Sequence, residues 1–493
     1  MVRLTTDVRG KLADVWVGLD AGETVTITLN AKGQLQNSVD GLVAGNLRQL
    51  YVSVRGEGAA LVTGGRYADN LTGGVGDDVL RGGDGNDVLY GGYASFYWDN
   101  GQQRYVRPNA GADKIFGGAG ADFLTGAAAA TLYGGAGDDL MDCVAADGPK
   151  GALYGGRGND VLSASFGDVA TAFHFEGGQG TDALLLDFRG SAAAGYPQGP
   201  QVVDFAAARG GVLRIGGLEA SGFERLIFAG SDQADQVKGG ALGDILRGEE
   251  GADHLLGGGG NDVFLWKHQS FSDSDGADYL DGQAGLDQLR IDWRSADGLL
   301  VTLTAEGDVQ SSIPGFTAKG IEALRIQGDV GHDTMMGARG NDTFWGSLGD
   351  DLLSGGGGDD HLIVGLGHDT VMGGRGADLF LFNGQETTTI SDFVSGQDKI
   401  VLNPIWGGKA GALAAGTFRL GKLAQDADDR LIYDRARGQL WLDADGNRAG
   451  QAVLLAQLKE GAALTGADIR LLTHWDGLYP HIPDALKPIW SIF

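Results

Sequence analysis

A nine-residue unit, Gly-Gly-x-Gly-x-Asp-x-(apolar)-x, recurs about twenty times and constrains the fold of this chain more than any other feature. Its clearest run begins at Gly328 and continues for six units without gaining or losing a residue. Across twenty units the sixth position is always Asp and the eighth always apolar, while Gly fills the first position in 17 and the fourth in 17. Because an acidic and an apolar residue recur at a fixed separation in every unit, the sequence predicts a stacked, repetitive architecture rather than one globular core.

The spacing of the unit predicts how each copy folds. Glycines at the first, second and fourth positions permit positive φ, so six residues can turn tightly with bare carbonyl groups. The other three residues suffice for a short strand whose middle side chain points inward. Two units complete one turn of a flattened coil, and loops eighteen residues apart then stack on the same side. We therefore predict an all-β protein made of parallel β-roll (β-solenoid) blocks, strand-rich bridging segments and a β-rich C-terminal cap.

The recurring acid predicts a metal site between stacked loops. Carboxylate and carbonyl oxygens are hard ligands that suit Ca²⁺, and a flexible loop disfavours the strict octahedron of Mg²⁺. Seven pairs of units begin eighteen residues apart without interruption, so at least about seven calcium ions are expected. The predicted metal ligands are the sixth-position aspartates: Asp69, Asp78, Asp87, Asp113, Asp122, Asp139, Asp160, Asp182, Asp235, Asp244, Asp253, Asp262, Asp278, Asp287, Asp333, Asp342, Asp351, Asp360, Asp369 and Asp378.

The first block of repeats is interrupted, whereas the run from Gly328 is continuous. Only one pair of units in the first block lies eighteen residues apart, and at Gly126 the expected loop reads Gly-Ala-Ala-Ala-Ala-Thr-Leu-Tyr, without Asp. That turn is expected to pack on alanine and to bind no metal. On spacing alone, replacing Asp360 should lower calcium affinity markedly, and replacing Asp160 much less.

The end of the nine-residue period predicts a cap. A solenoid needs one, because its last turn would otherwise expose an apolar end and an unpaired strand edge. Residues 431–434 and 440–443 are expected to form a hairpin within it. The predicted parts are an N-terminal β-rich segment (1–63), a first roll with insertions (64–186), a bridging segment (187–229), a second roll (230–290), a second bridging segment (291–327), a third roll (328–381), a capping and secretion domain (382–473) and an extended tail (474–493).

The overall charge narrows the range of partners. With 65 acidic against 37 basic residues, the formal net charge is −28, which excludes nucleic acid as a partner and favours cations. Cys143 is the only cysteine, so neither a disulfide framework nor a thiolate metal cluster is expected. No run approaches the roughly 18 to 20 apolar residues of a transmembrane helix. The N-terminal residues lack the apolar stretch of a cleavable signal peptide, which by itself predicts a cytoplasmic protein.

The nonapeptides resemble those of the repeats-in-toxin (RTX) calcium-binding proteins over roughly residues 64–381. The segments Asp378-Leu-Phe-Leu-Phe, Ile390-Ser-Asp-Phe and Leu442-Asp-Ala-Asp-Gly are similar to the C-terminal domain of serralysin-type secreted proteins. This resemblance implies export by type I secretion machinery through an uncleaved C-terminal signal. It therefore implies an extracellular or cell-surface location despite the absence of a signal peptide. The Pro-rich tail from His474 departs from the usual ending of such signals.

No catalytic or cofactor-binding residue is predicted, since the chain contains neither His-Glu-x-x-His nor Gly-x-Ser-x-Gly. The leading interpretation is a secreted, calcium-dependent structural or adhesive protein of a surface or matrix. An aromatic insertion from Tyr93 to Tyr105 could contact a glycan or cell-surface ligand, although a hydrophobic lid over the roll is the more ordinary reading. Two alternatives stay open: an antibacterial or host-directed effector, and an enzyme using the unassigned acids Asp187, Asp204 and Glu224.

Overall fold

A computed structural model describes the chain in a set of segments that fall into two compact units, one within Met1–Leu246 and the other within Arg247–Ile482. The described residues are 2–6, 12–19, 24–30, 32, 34–38, 48–56, 58–92, 96–99, 102–105, 111–127, 129–144, 151–165, 173–189, 199–206, 211–215, 217–267, 276–295, 297–382, 386–403, 410–446 and 451–472. Their regular structure is almost entirely β-strand, which confirms the predicted all-β class.

The first unit consists of short strands, most of which alternate between two sheets. Its strands are β1 (Val2–Thr6), β2 (Leu12–Leu19), β3 (Thr24–Leu29), β4 (Leu35–Asn37), β5 (Gln49–Gly56), β6 (Ala59–Thr63), β7 (Asn70–Thr72), β8 (Val79–Asp84), β9 (Val88–Tyr90), β10 (Phe96–Asp99), β11 (Gln102–Tyr105), β12 (Lys114–Ala119), β13 (Phe123–Ala127), β14 (Thr131–Ala136), β15 (Leu140–Val144), β16 (Ala152–Arg157), β17 (Val161–Ser165), β18 (Phe173–Gln179), β19 (Ala183–Asp187), β20 (Val202–Asp204), β21 (Leu213–Ile215), β22 (Leu218–Ser221), β23 (Arg225–Ala229), β24 (Gln236–Lys238) and β25 (Ile245–Arg247).

Both sheets of the first unit are parallel along most of their length. One runs β2-β5-β7-β9-β13-β15-β17-β19-β23. The other runs β3-β6-β8-β12-β14-β16-β18-β22. Because successive strands alternate between the sheets, each coil adds one strand to each, and the predicted parallel β-roll is confirmed. The coil already includes β5 and β6, before the first nonapeptide, and β23 of the predicted bridging segment stacks directly on β19.

The second unit repeats this arrangement and ends in antiparallel strands. Its elements are β26 (His254–Gly259), β27 (Val263–Lys267), β28 (Tyr279–Ala284), β29 (Gln288–Asp292), β30 (Leu300–Leu303), β31 (Val309–Ser311), β32 (Thr317–Lys319), β33 (Ala323–Gln327), β34 (Thr334–Met336), β35 (Thr343–Trp345), β36 (Leu352–Gly357), β37 (His361–Val364), β38 (Thr370–Arg375), β39 (Leu379–Phe382), β40 (Thr388–Ile390), β41 (Lys399–Leu402), β42 (Gly411–Ala412), β43 (Phe418–Leu420), β44 (Leu431–Asp434), β45 (Gln439–Leu442), β46 (Val453–Leu458), a 3₁₀ helix (Gly466–Asp468) and β47 (Ile469–Leu471).

One sheet of the second unit runs β27-β29-β33-β35-β37-β39-β41-β47 in parallel. The other contains the parallel series β30-β34-β36-β38-β40-β46. The cap closes this second sheet with the antiparallel pair β44–β45, which confirms the predicted hairpin. Since β33 pairs with both β29 and β35, the second bridging segment also supplies a coil. The boundaries of the eight predicted parts stay a prediction.

The eighth-position side chains form the core between the two sheets of each unit. All twenty are 2% exposed or less, among them Leu80, Met141 and Phe380. Burying an aliphatic or aromatic side chain of this size contributes about 1.5–3 kcal/mol. The core therefore depends on the same periodicity that positions the acids.

A column of aromatic side chains crosses the outer face of one sheet of the first unit, with one side chain on each of β12, β14, β16 and β18. The rings of Phe116 and Tyr133 stack with centroids 4.8 Å apart, and those of Tyr133 and Tyr154 with centroids 5.1 Å apart. The guanidinium of Arg81 covers Phe116 at 4.1 Å, and His174 lies 5.8 Å beyond Tyr154. The ring spacing matches the roughly 4.8 Å between paired strands, so these cross-strand contacts reinforce the register of the coils.

Candidate metal centre

Each repeat loop closes on its own sixth-position carboxylate. In the loop that begins at Gly82, the second and fourth residues, Gly83 and Gly85, both adopt φ of +115°, which other residues rarely reach. A Cβ on Gly82 would lie 2.1 Å from Oδ2 of Asp87 and 2.6 Å from the carbonyl oxygen of Gly117. Glycine at the first position is therefore required because two oxygens converge where a side chain would begin.

The sixth-position carboxylates form ladders from coil to coil. In each step, the backbone N–H of one sixth-position Asp donates to Oδ1 of the corresponding Asp in the next coil. In the first unit the steps are Asp69 to Asp87 (2.7 Å), Asp87 to Asp122 (2.7 Å), Asp122 to Asp139 (2.9 Å), Asp139 to Asp160 (2.9 Å) and Asp160 to Asp182 (2.8 Å). In the second unit they include Asp262 to Asp287 (2.8 Å), Asp333 to Asp351 (2.8 Å), Asp342 to Asp360 (2.7 Å) and Asp360 to Asp378 (3.0 Å).

All twenty predicted ligands are buried. Asp278 is 6% exposed and the others 2% or less. In many of them Oδ2 has no hydrogen-bond partner within the part of the chain that the structure describes: Asp87, Asp122, Asp139, Asp160, Asp182, Asp287, Asp333, Asp351, Asp360 and Asp378. Burial of a carboxylate oxygen without a partner is costly unless a cation neutralises it.

The raised pKa values of the ladder carboxyls also indicate that their charged form needs a cation. Burial, together with the charges of neighbouring ladder carboxylates, raises the pKa of Asp139 and Asp360 to about 8, although each accepts a backbone hydrogen bond that lowers it. Asp468 of the cap shows the contrast. Burial raises its pKa, but hydrogen bonds from Ser395, Gly396 and Thr465 outweigh that effect and bring it to about 2. The cap carboxylate accepts hydrogen bonds at both oxygens, whereas Oδ2 of Asp139 and of Asp360 has no hydrogen-bond partner among the described residues.

The oxygens present fit Ca²⁺. At Gly64, Gly82, Gly117, Gly134 and Gly155, the Oδ2 of the loop's own Asp and the carbonyl oxygen of the next coil's first glycine both lie 2.1–2.6 Å from one point, the position of a Cβ. Among the described residues, no group of three or more His, Cys, Asp or Glu side chains is arranged to hold a metal ion, so backbone carbonyl oxygens would have to supply most of the ligands at each site. A mixture of carbonyl and carboxylate oxygens is typical of calcium sites.

The structure corrects the eighteen-residue rule for the first block. The ladder from Asp69 to Asp182 is continuous, although its steps span 18, 35, 17, 21 and 22 residues. The stack keeps its register across the insertions: β8 still pairs with β12, and Asp160 makes the same two ladder contacts as Asp360. Loops therefore stack at more places than the seven uninterrupted pairs, and the spacing-based ranking of Asp160 below Asp360 stays a prediction.

The two edges of the first roll differ. On the second edge, Ala60 donates to Asp78 and Asp78 donates to Asp113, at 2.7 and 2.9 Å. The next turn on that edge begins at Gly126, where a Cβ would lie 2.6 Å from Cβ of the fully buried Ala130. The predicted packing of that turn on alanine is confirmed, and the carboxylate series of this edge stops there.

Sequence reasoning missed several members of the ladders. Asp398 accepts from the backbone N–H of Asp378 at 3.2 Å and from that of Val394 at 2.7 Å. It occupies the sixth position of a degenerate unit, Phe-Val-Ser-Gly-Gln-Asp-Lys-Ile-Val, which could have been found by its fourth-position Gly and eighth-position Ile. A second, exposed ladder runs through fifth-position Asp and Asn side chains in the opposite direction: Ala121 donates to Asn86 at 3.0 Å and Asn159 to Asp138 at 2.8 Å.

The acids considered for an alternative enzymatic site have other partners. Asp187 forms an ion pair with Arg189 at 2.8 Å, and Glu224 accepts a hydrogen bond from the backbone N–H of Asp182 at 2.9 Å. The predicted contact insertion contains an antiparallel hairpin, β10–β11, that pairs Phe96 with Tyr105. The side chains of that hairpin lie outside the described residues.

Two parallel sheets wound into a roll, with buried acids stacked in the turns, define a calcium-binding β-roll. A family model described as RTX calcium-binding nonapeptide repeat (4 copies) matches residues 63–92, 109–130, 131–142, 152–168, 229–264, 270–290, 325–344 and 345–380. The chain therefore contains RTX calcium-binding nonapeptide repeats.

One solved structure with detectable similarity is the solution structure of the AlgE6R3 subunit from the Azotobacter vinelandii mannuronan C5-epimerase. It is 23% identical, and the match covers 31% of this chain and 83% of that one with a TM-score of 0.20. The search of curated proteins returned no match. Among the described residues, no helix has the length and apolar character needed to cross a membrane.

Proposed function

We propose that this calcium-binding repeat protein is exported by type I secretion, folds outside the cell when calcium binds, and acts there as a structural or adhesive component of a surface or matrix. The observation that carries the proposal is the ladder of buried carboxylates, in which Oδ2 of residues such as Asp160 and Asp360 has no hydrogen-bond partner among the described residues.

The coupling of folding to calcium follows from the cost of those carboxylates. Adjacent ladder acids repel one another, and burial removes the water that would stabilise them. Binding of an ion to the folded state alone adds its free energy to the stability of the fold. Calcium sites with many carbonyl ligands work at the millimolar concentrations of extracellular modules, so the chain would stay unfolded in the cytosol and fold after export.

Circular dichroism tests the coupling. The spectrum of the full chain is expected to change from unfolded to β-rich when millimolar Ca²⁺ replaces EGTA, with Mg²⁺ at the same concentration as the control. An identical spectrum in EGTA and in calcium would contradict the proposal.

Export is tested separately by deletion of residues 421–493, which include the cap strands β44 to β47. The truncated protein should remain inside a cell whose type I exporter secretes the full chain. Secretion of the truncation at the normal level would show that the signal lies elsewhere.

For the partner, we propose that the β10–β11 hairpin presents the aromatic insertion to a glycan or cell-surface ligand. The flanking strands β9 and β13 pair in register across the insertion, so residues 93–105 can be deleted without removing a coil. Loss of binding on a glycan array or to cells, with an unchanged melting temperature in calcium, is the expected result. Unchanged binding with a lowered melting temperature would favour the hydrophobic lid instead.

A further inference from the structure

Each unit contains one place where the carboxylate ladder is continued by a glutamate instead of an aspartate. In the first unit, the backbone N–H of Asp182 donates to Oε2 of Glu224 at 2.9 Å. In the second, the backbone N–H of Asp287 donates to Oε2 of Glu322 at 2.7 Å. These are the same contacts that the next Asp makes at every other step of the ladders.

The backbone around each glutamate reproduces a repeat loop with half its residues. Gly222-Phe223-Glu224 and Gly320-Ile321-Glu322 replace the six residues from the first glycine to the sixth-position Asp. Both glycines adopt positive φ, +72° at Gly222 and +62° at Gly320. The strands that follow, β23 and β33, pair in parallel with β19 and β29, as after a full loop.

The oxygens converge at both glutamate loops as they do in complete repeats. The carbonyl oxygen of Gly222 lies 2.0 Å from the Cβ position of Gly177, and that of Gly320 lies 2.0 Å from the Cβ position of Gly282. Oδ2 of Asp182 lies 2.8 Å from the first of these points, and Oδ2 of Asp287 lies 2.4 Å from the second.

Both aspartates are at most 1% exposed, and both Oδ2 atoms lack a partner within the described part of the chain. A glutamate carboxylate has two acceptor oxygens, and the backbone bond uses one of them.

From this geometry we infer that Gly222–Glu224 and Gly320–Glu322 each complete a calcium site with the preceding full loop. Glu224 and Glu322 are then ligands of the last ion of each series, which we call the closing ion. Both triplets lie outside the segments that match the repeat model, which stop at residues 168 and 290 and resume at 229 and 325. The extra methylene of Glu lets a three-residue loop present a carboxylate where a six-residue loop presents Asp. The inference rests on the proposed calcium-dependent fold but concerns two specific sites.

Substitution of each glutamate by glutamine distinguishes a calcium ligand from a residue that only accepts the backbone hydrogen bond. In Glu224→Gln and Glu322→Gln, the amide oxygen can still accept the backbone hydrogen bond, while the negative charge is lost. Native mass spectrometry of the full chain at fixed free calcium should show one ion fewer in each variant and two fewer in the double variant. Glu219→Gln and Glu306→Gln, both at exposed positions, are the matched controls and should retain the wild-type count.

The calcium midpoint for folding, followed by circular dichroism, gives an independent readout and should rise in both variants but in neither control. An unchanged ion count and midpoint would show that the glutamates are only structural acceptors. Failure of a variant to fold at any calcium concentration would also overturn the inference, because loss of one closing ion leaves the other ladder steps intact. If the wild-type chain itself retains no calcium, the proposed function fails instead.

Discussion

Substitution of Asp160 tests whether stacking or sequence spacing governs calcium binding. Asp160 lies in the interrupted first block, yet its Oδ1 accepts the backbone N–H of Asp139 at 2.9 Å and its own N–H donates to Asp182 at 2.8 Å. Asp360 makes the same two contacts in the uninterrupted run, at 2.7 and 3.0 Å. The structure therefore predicts equal effects for the two positions.

The magnitude follows from the groups left behind. Asp160→Ala removes the acceptor of a buried backbone N–H, which costs about 1–3 kcal/mol. This corresponds to a factor of about 5 to 150 in the folding equilibrium. Asp160→Asn retains an acceptor oxygen and should avoid that cost. Both substitutions remove the anionic oxygen, so both should raise the calcium midpoint. The difference in calcium midpoint between the Ala and Asn variants measures the contribution of the hydrogen bond. The increase in midpoint that both variants share measures the loss of an ion ligand.

The assay is a calcium titration of folding for Asp160→Ala, Asp160→Asn and the same two variants of Asp360. Asp308→Ala, at an exposed position outside the repeats, is the control and should match the wild type. Asp160→Ala behaving like this control, while Asp360→Ala is impaired, would refute the stacking argument and restore the eighteen-residue rule.

Three further outcomes are expected. Burial raises the pKa of ladder carboxyls to between about 6 and about 8. Without calcium, the folded state then binds more protons than the unfolded state between about pH 4 and pH 8, so stability falls as the pH rises through that range. Circular dichroism in calcium-stripped buffers should therefore show more β-structure at pH 5 than at pH 8, and the opposite order would contradict this. Gly155→Ala should disrupt one loop, because its Cβ would lie 2.3 Å from the carbonyl oxygen of Gly177, whereas Gly199→Ala has open space; melting temperatures in calcium compare them. Cys143 is fully buried and burial raises its pKa, so a thiol reagent should modify it in EGTA but not in calcium, and equal rates would count against a calcium-dependent first unit.

The periodic part of this chain was predictable because the sixth and eighth positions leave little choice of structure. The coil geometry, the burial of predicted ligands such as Asp87 and the burial of core side chains such as Leu89 follow from that phase. Stacking across the insertions was not predictable from spacing, because register depends on strand pairing such as that of β8 with β12. From the sequence, Glu224 is only an unassigned acid. A three-residue loop has too few repeat positions to be recognised before the neighbouring strands are placed.

The buried carboxylate ladder makes the two ends of a roll chemically unequal. At every step the amide belongs to the earlier coil and the carboxylate to the later one, as in the bond from Asp122 to Asp139. If coils are removed from the N-terminal end, the new first coil exposes a carboxylate, which water solvates readily. If they are removed from the C-terminal end, the new last coil keeps an inward N–H without an acceptor. As far as the buried carboxylate ladder is concerned, the N-terminal end of a roll therefore needs no terminator, whereas the C-terminal end needs an acceptor such as Glu224 or Asp398.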